Sequence, residues 1–143
     1  MAEFEVQGLE EFMLSMKELA EIPDEVQDEM LNAGADVVVP VQKKKIKAYG
    51  IYDSKSAKHV SDSIKKGKVK TKKGKRVIYI TPTGSKKRGK TVTRNAEILF
   101  VNEYGKRGQK ARPAIRDANE ECARATTDAQ AQVWDEYLKK NNL

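Results

Sequence analysis

Residues 98–118 read ILFVNEYGKRGQKARPAIRDA and lead from an apolar run, through a basic loop, to a helix start. The apolar run at the start, an expected anchor through Phe100, ends in Glu103-Tyr104-Gly105. A basic loop follows, and Pro113 suits the first turn of a helix. Residues 96–104 fit either a short helix or a buried strand, and the local pattern does not decide between them. The stretch holds no catalytic motif, so we interpret it as a connector between a sheet and the last helix. Its candidate assembly or loop-bracing residues are Glu103, Tyr104, Gly105, Arg112 and Pro113.

Glu103 and Arg112 stand on either side of a turn that Gly105 and Gly108 bracket. The two side chains could pair across the turn, each could be solvated separately, or Glu103 could brace the loop against the last helix. A buried pair would fix the register of the connector rather than add much net stability.

Three segments carry apolar residues at the three- and four-residue spacing of amphipathic helices. They are residues 9–20, residues 26–46 and a segment from Pro113 to about Lys139. Pro40 interrupts the second segment by removing a backbone donor, so we expect a helix kinked near that residue. Residues 3–7 alternate weakly and predict a short strand. The expected inner side of the last helix is Ile115, Ala118, Cys122, Ala125, Ala129, Val133, Trp134 and Tyr137.

Residues 62–82 predict a densely basic β-hairpin. Its arms are residues 64–69 and the β-branched and aromatic run 76–81, with the turn at residues 72–75. Lysine occupies every second position from residue 66 to residue 72, which places four lysines on one face of a strand. The candidate face for an anionic partner is Lys66, Lys68, Lys70, Lys72, Lys75 and Arg76.

Three interpretations of this basic hairpin stay open. It could bind phosphate groups, in which case added salt would weaken binding. Its lysines could serve only to keep an edge strand from pairing with other chains. The face could also meet the acidic surface of a neighbouring subunit. Specific base readout is not expected, because lysine outnumbers arginine and Tyr79 is the only aromatic residue of the hairpin.

Residues 84–91 contain G-x-x-x-x-G-K-T, formally the phosphate-loop pattern. That mechanism needs a helix directly after the loop, whereas Thr91-Val92-Thr93 is β-branched and suits a strand. We therefore interpret residues 86–90 as an exposed basic loop. Mobile loops are expected near 49–61 and 84–90.

The chain has 143 residues, of which 38% are hydrophobic and 34% charged, and this fits a single domain over residues 1–143 with a modest core. The net charge of +7 is unevenly distributed along the chain. Residues 1–36 carry −10, residues 37–116 carry +20 and residues 117–143 carry −3. Such asymmetry suits an anionic partner for the middle, or a head-to-tail oligomer in which an acidic surface meets a basic one.

One cysteine, Cys122, and one histidine, His59, leave no basis for an intramolecular disulfide, a cysteine zinc site or convincing general-base chemistry. We therefore expect no catalytic residue, no metal site and no cofactor. The acidic start of the chain does not look like a signal peptide, and no apolar run approaches the roughly 20 residues that span a bilayer. A soluble, intracellular protein is the expectation.

Together these patterns predict an α+β fold. A small, mostly antiparallel sheet with a basic β-hairpin is packed by two or three helices. These include a long helix in the N-terminal half and a C-terminal helix.

The order of elements resembles the bacteriophage tail-component or tail-completion family. In that family an apolar segment ends in Glu-aromatic-Gly, as at Glu103-Tyr104-Gly105, and a short loop leads to a Pro-containing helix start. Residues 6–12, VQGLEEF, look like the family's opening, residues 26–46 correspond to its longest helix, and Asp62-Ser63-Ile64 resembles a Ser-Ile segment.

The resemblance implies a structural protein of the virion, assembled in the cytoplasm of the host bacterium. It would act in tail completion or head-tail joining of a long-tailed phage or prophage. Its implied partners are copies of itself, with a ring as one arrangement, and other tail or connector proteins. A nucleic-acid-binding module that uses the hairpin 65–76 is the alternative, with DNA possible as a partner but not favoured. An enzyme is the weakest class.

Overall fold

The computed structural model describes residues 22–51, 60–88 and 90–142. Within these ranges lie three α-helices: α1 (Asp24–Ala48), α2 (Asn95–Tyr104) and α3 (Ala114–Lys140). A 3-10 turn covers Val60–Ser63. The predicted strand over 3–7 and helix over 9–20 lie outside the described residues, as does most of the loop predicted at 49–61.

In the described ranges six short strands accompany the helices, and all of their pairings are antiparallel. β1 (Ile64–Lys66) pairs with β4 (Ile80–Pro82), and β2 (Lys70–Lys72) pairs with β3 (Lys75–Val77). β5 (Ser85–Arg88) pairs with β6 (Thr91–Arg94). The fold is therefore α+β, with a basic hairpin, a long first helix and a long last helix, as predicted.

The two long helices pack antiparallel along their length. α1 continues through Pro40, whose side chain is exposed, while Val38 and Gln42 on the opposite face are buried. A Cβ atom at Gly34 would lie 2.7 Å from Gln130 Nε2 and 3.2 Å from Thr126 Cγ2, so glycine allows the helices to approach closely there. Gln42 Nε2 donates to Asn119 Oδ1 at 2.8 Å and satisfies a buried amide at the same interface.

One position on the inner side of α3 differs from the prediction. Thr126 is buried, whereas Ala125 is exposed. The Thr126 hydroxyl donates to the Cys122 carbonyl at 2.8 Å, which removes the cost of burying it, and the side chain fills the space beside Gly34.

Two apolar clusters lie at opposite ends of the helical pair. The junction core consists of Ile46, Ile51, Val60, Ile64, Leu99 and Ala114. Its residues come from the end of α1, the 3-10 turn, β1, α2 and the start of α3. The distal cluster consists of Val26 and Trp134, with the partly buried Ile22, Met30, Tyr137 and Leu138 around them. Since α1 has 25 residues, the two ends of the pair are about 37 Å apart.

The predicted hairpin exists, but its first arm has one residue more than the second. Lys66 pairs with Ile80 and Lys70 pairs with Val77, so three residues, 67–69, oppose two, 78–79. Such an insertion is a β-bulge, which bends the strand and reverses the alternation of side chains beyond it. The prediction that the lysines at 66, 68, 70 and 72 share one face is therefore wrong.

The interpretation of residues 86–90 as a loop is also wrong for residues 86–88. Residues 85–88 form β5, because Thr91–Arg94 supplies a paired strand close behind it in the chain. This hairpin stands where a phosphate loop would need a loop followed by a helix.

Candidate functional site

The connector between α2 and α3 is a tight loop closed by backbone bonds. Gly105 ends α2 with a φ of 77°, and a Cβ atom there would lie 3.0 Å from both Ala111 N and Gln109 O. Lys106 and Gln109 form a small antiparallel bridge around Gly108. Arg112 N donates to the Asn102 carbonyl at 2.6 Å and returns the chain to α2. Residues 96–104, which local sequence left undecided, form the helix α2 with one residue added at its start.

Glu103 joins α2 to the start of α3. One carboxylate oxygen accepts from Ile115 N at 3.0 Å, and the other accepts from Arg116 N at 2.9 Å. These amides belong to the first turn of α3, where donors lack partners within the helix and the helix dipole favours a negative charge. Pro113 precedes that turn and lacks an N–H, which suits its position. Of the alternatives for Glu103, bracing of the last helix matches this geometry.

Arg112 has partners other than Glu103. Its guanidinium donates to Asn102 Oδ1 at 2.7 Å and to the Tyr49 carbonyl at 3.1 Å, linking the connector to α2 and to the end of α1. Asn102 is buried, and its side chain also accepts from Gln109 and donates to the Ile98 carbonyl. Sequence reasoning missed Asn102. Its position immediately before Glu103 in an apolar run was the available signal, because a buried amide must find partners.

Tyr49, at the end of α1, contacts α3 directly. Its hydroxyl donates a hydrogen bond to the Asp117 carboxylate, which lowers the pKa of Asp117 and raises the pKa of Tyr49. One turn of each helix away, Lys45 Nζ lies 2.6 Å from Glu121 Oε2. That contact raises the pKa of Lys45 and lowers the pKa of Glu121. Both contacts tie α1 to α3 beside the junction core.

The outer face of α2 carries two aromatic side chains whose rings are in contact at a tilted angle. Phe100 is 65% exposed and Tyr104 is 71% exposed, and their ring centroids are 4.9 Å apart. Leu99 on the inner face is buried in the junction core. The predicted apolar anchor of the connector therefore does not extend to Phe100. We call Phe100 and Tyr104 the aromatic pair. Residues 105–112, which follow it, hold four basic and no acidic residues.

The structure divides the basic residues of the hairpin between two faces. Lys66 and Arg76 reach carboxylates on α1. Lys66 Nζ lies 2.7 Å from Asp36 Oδ1, and the guanidinium of Arg76 donates to both oxygens of Asp28 at 2.6–2.9 Å. The Asp28 carboxylate raises the pKa of Arg76.

Lys70, Lys72 and Lys75 lie on the other face of the hairpin. Thr71 is paired with Arg76, and Lys72 is paired with Lys75, so these two pairs point to opposite sides of the ladder. All three lysines are exposed. Lys72 Nζ stands 5.7 Å from the centroid of the Tyr79 ring. Lys68 lies in the bulge.

An open groove of about 480 Å³ separates the hairpin from α1 between the two ion pairs. Its walls are the bulge and one stripe of the helix, and its lining residues are Asp28, Asn32, Lys66, Gly67, Lys68 and Val69. Two ion pairs between the hairpin and α1 therefore lie on either side of this open groove.

In the described part of the chain, no group of three or more His, Cys, Asp or Glu residues is placed to hold a metal ion. Among the same residues, no helix has the length and apolar character needed to cross a membrane. Comparison of the chain with protein-family models, curated proteins and solved structures finds no match.

Proposed function

We propose that this protein is a structural assembly protein that acts in tail completion or head-tail joining of a long-tailed phage or prophage, as a ring-forming oligomer. The observation that carries the proposal is the aromatic pair. Two large aromatic rings in contact with each other face solvent on a helix whose other face and ends are attached to the core. Exposed aromatic side chains on a rigid element are the usual anchors of protein interfaces.

A second copy of the chain fits the aromatic pair best. The distal cluster offers the partly buried Ile22, Met30, Tyr137 and Leu138 at the far end of the helical pair. Exposed carboxylates surround that end: Asp24, Glu25, Glu29, Asp135 and Glu136. The aromatic pair lies beside the basic connector, so the two ends complement each other in both apolar character and charge.

A contact between two different surfaces of identical chains is heterologous. Such contacts generate a ring where the rotation between neighbours closes, and a filament where it does not. The resemblance of residues 98–118 to the tail-completion family supports the ring. The other proposed partners are tail or connector proteins, the proposed place of action is the virion, and assembly takes place in the cytoplasm of the host bacterium. The proposal assigns no catalytic step to the chain.

Light scattering on the full chain over a concentration series, alone and with tail-tube protein, tests the proposal. We expect a particle of several subunits in at least one of these conditions. Phe100→Ser with Tyr104→Ser should reduce the particle mass toward that of the monomer. A mass of one chain at every concentration, with and without tail-tube protein, would contradict the proposal.

Val92→Ser is the matched control, because Val92 is 62% exposed but lies on β6 rather than α2. It removes exposed apolar area and leaves the aromatic pair intact. Equal loss of mass in this control and in the double variant would argue against an interface centred on α2.

A further inference from the structure

The outer face of the β2–β3 ladder carries cations that have no carboxylate partner among the described residues. Lys70 and Lys72 are two residues apart on β2, and Lys75 is opposite Lys72 on β3, so the three form one contiguous positive surface. We call it the lysine face. Val77, which is paired with Lys70, is partly buried on the same side.

The basic side chains on the inward side of the hairpin, by contrast, have carboxylate partners. Arg76 is held by both oxygens of Asp28, and Lys66 by Asp36. Carboxylates of α1 thus already neutralise the basic side chains that point inward. The bulge at residues 67–69 keeps Lys70 and Lys72 on the opposite side from Lys66. The described residues therefore leave the lysine face available to an anion of another molecule.

The composition of the lysine face argues against a protein as that molecule. Lysine is depleted at protein interfaces, whose centres are apolar, whereas interfaces with nucleic acids are polar and strongly positive. The three exposed side chains of the face are all lysine, and the exposed large apolar side chains of the described residues lie on β6 and α2 instead.

The shape of the hairpin favours one kind of nucleic acid. A two-stranded antiparallel ribbon fits the major groove of B-form DNA, which is about 12 Å wide. The major groove of an RNA duplex is too narrow and deep for side chains to enter. Lysine contributes point charges to phosphates but no bidentate base contact here, since the one arginine of the ladder is held by Asp28.

We propose that the lysine face, Lys70, Lys72 and Lys75, binds the phosphate backbone of duplex DNA without reading its sequence. This site is separate from the aromatic pair and does not depend on the assembly function. A protein that forms no ring would still carry it.

The test is the affinity of the full chain for two labelled DNA duplexes of unrelated sequence. It is measured by fluorescence anisotropy between 50 and 200 mM salt. Both duplexes should bind equally. Each phosphate contact adds about −0.9 to the slope of log K against log salt concentration. The triple variant Lys70→Gln, Lys72→Gln, Lys75→Gln should therefore have a slope shallower by about 2.7, and Lys72→Gln alone by about 0.9.

The matched control replaces three exposed lysines on the helices: Lys44→Gln, Lys47→Gln, Lys140→Gln. It changes the net charge of the protein by the same amount and should leave the slope close to that of the wild type. An equal reduction of the salt slope in the two triple variants would overturn the proposal, because DNA binding would then depend on net charge alone.

Three further results would overturn it. The first is the absence of DNA binding by the wild type at 50 mM salt. The second is tighter binding of an RNA duplex than of DNA, and the third is binding of polyglutamate as tight as that of DNA. Either of the last two would assign the face to a different partner.

Discussion

The α2–α3 connector and the basic hairpin are both attached to the long helices, but by different kinds of contact. The connector is fixed by bonds to backbone groups and to a buried amide, through Glu103 and Arg112, beside the junction core. The hairpin tip is fixed by ion pairs between partly exposed side chains across an open groove. Exposed ion pairs contribute little and are screened by salt, whereas an acceptor for the free amides at a helix start contributes about 1 kcal/mol. The connector should therefore behave as part of the core, and the hairpin as an adjustable attachment.

The largest expected effect comes from removing the Glu103 carboxylate. Glu103→Ala leaves the amides of Ile115 and Arg116 without their acceptors and removes a negative charge at the start of α3. The free energy of unfolding should fall by about 1–2 kcal/mol, the range for loss of a helix N-terminal acceptor. Urea denaturation followed by circular dichroism measures the change.

Glu97→Ala is the control for this prediction. Glu97 is on the same helix, but it is exposed, and its side-chain partner among the described residues is the exposed side chain of Arg94. Its replacement should change the unfolding free energy far less. Similar losses for the two variants would mean that the connector is held no more firmly than the surface.

A smaller effect is expected from Asp117→Asn, and its size should depend on pH. The hydrogen bond from Tyr49 holds the pKa of Asp117 below its ordinary value of 3.8. A group whose pKa is lowered by folding stabilises the folded state above its unfolded pKa, and this contribution disappears as the pH falls through the folded pKa. The stability difference between wild type and Asp117→Asn should thus be constant above about pH 5 and shrink below about pH 4.

Urea midpoints of the two proteins from pH 3 to pH 7 measure this dependence. Tyr49→Phe serves as the partner variant, because it removes the donor and leaves the carboxylate. In the Tyr49→Phe background, Asp117→Asn should lower the urea midpoint only slightly. A stability difference that stays the same at every pH would show that the hydrogen bond does not favour the charged form of Asp117.

The smallest effect is expected at the hairpin. Arg76→Gln removes the ion pair with Asp28, which is partly exposed on both sides. The thermal midpoint should drop slightly at low salt and match that of the wild type at 1 M salt, where the Debye length is about 3 Å. Glu103→Ala should keep most of its effect at 1 M salt, because the lost hydrogen bonds to the amides of Ile115 and Arg116 do not depend on long-range charge attraction. If Arg76→Gln lowers the thermal midpoint equally at low and high salt, the hairpin and the connector are not held by different kinds of contact.

The fold class and the long helices follow from sequence, because their apolar spacing is regular over many turns. That spacing places helices at residues 26–46 and 113–139, within a few residues of α1 and α3. The undecided segment 96–104 required tertiary contacts: Leu99 enters the junction core, while Phe100, its neighbour, faces solvent. Four consecutive apolar residues carry no periodicity that separates these two roles.

The register of the hairpin could not be predicted for a related reason. A bulge is visible in sequence where apolar and polar residues alternate, because the alternation changes phase. Residues 65–76 are mostly lysine and carry no such alternation, so the extra residue at 67–69 left no trace. The strand β5 was missed because Lys-Lys-Arg has low β-propensity by itself, and its pairing with Thr91–Arg94 is the deciding contact.

The extra residue in the first arm also makes the two arms unequal in their tolerance of length changes. In the second arm Arg76 and Ile80 are an even number of residues apart, and both point inward, toward Asp28 and the junction core. Loss of one codon within 67–69 would only remove the bulge and leave every lysine of the ladder on its present face. The same loss at 78–79 would put Arg76 and Ile80 on opposite faces. Either Arg76 would then lose its contact with Asp28, or Ile80 would lose its contact with the junction core. Natural variants of this hairpin should therefore differ in length in the first arm and keep a constant length in the second.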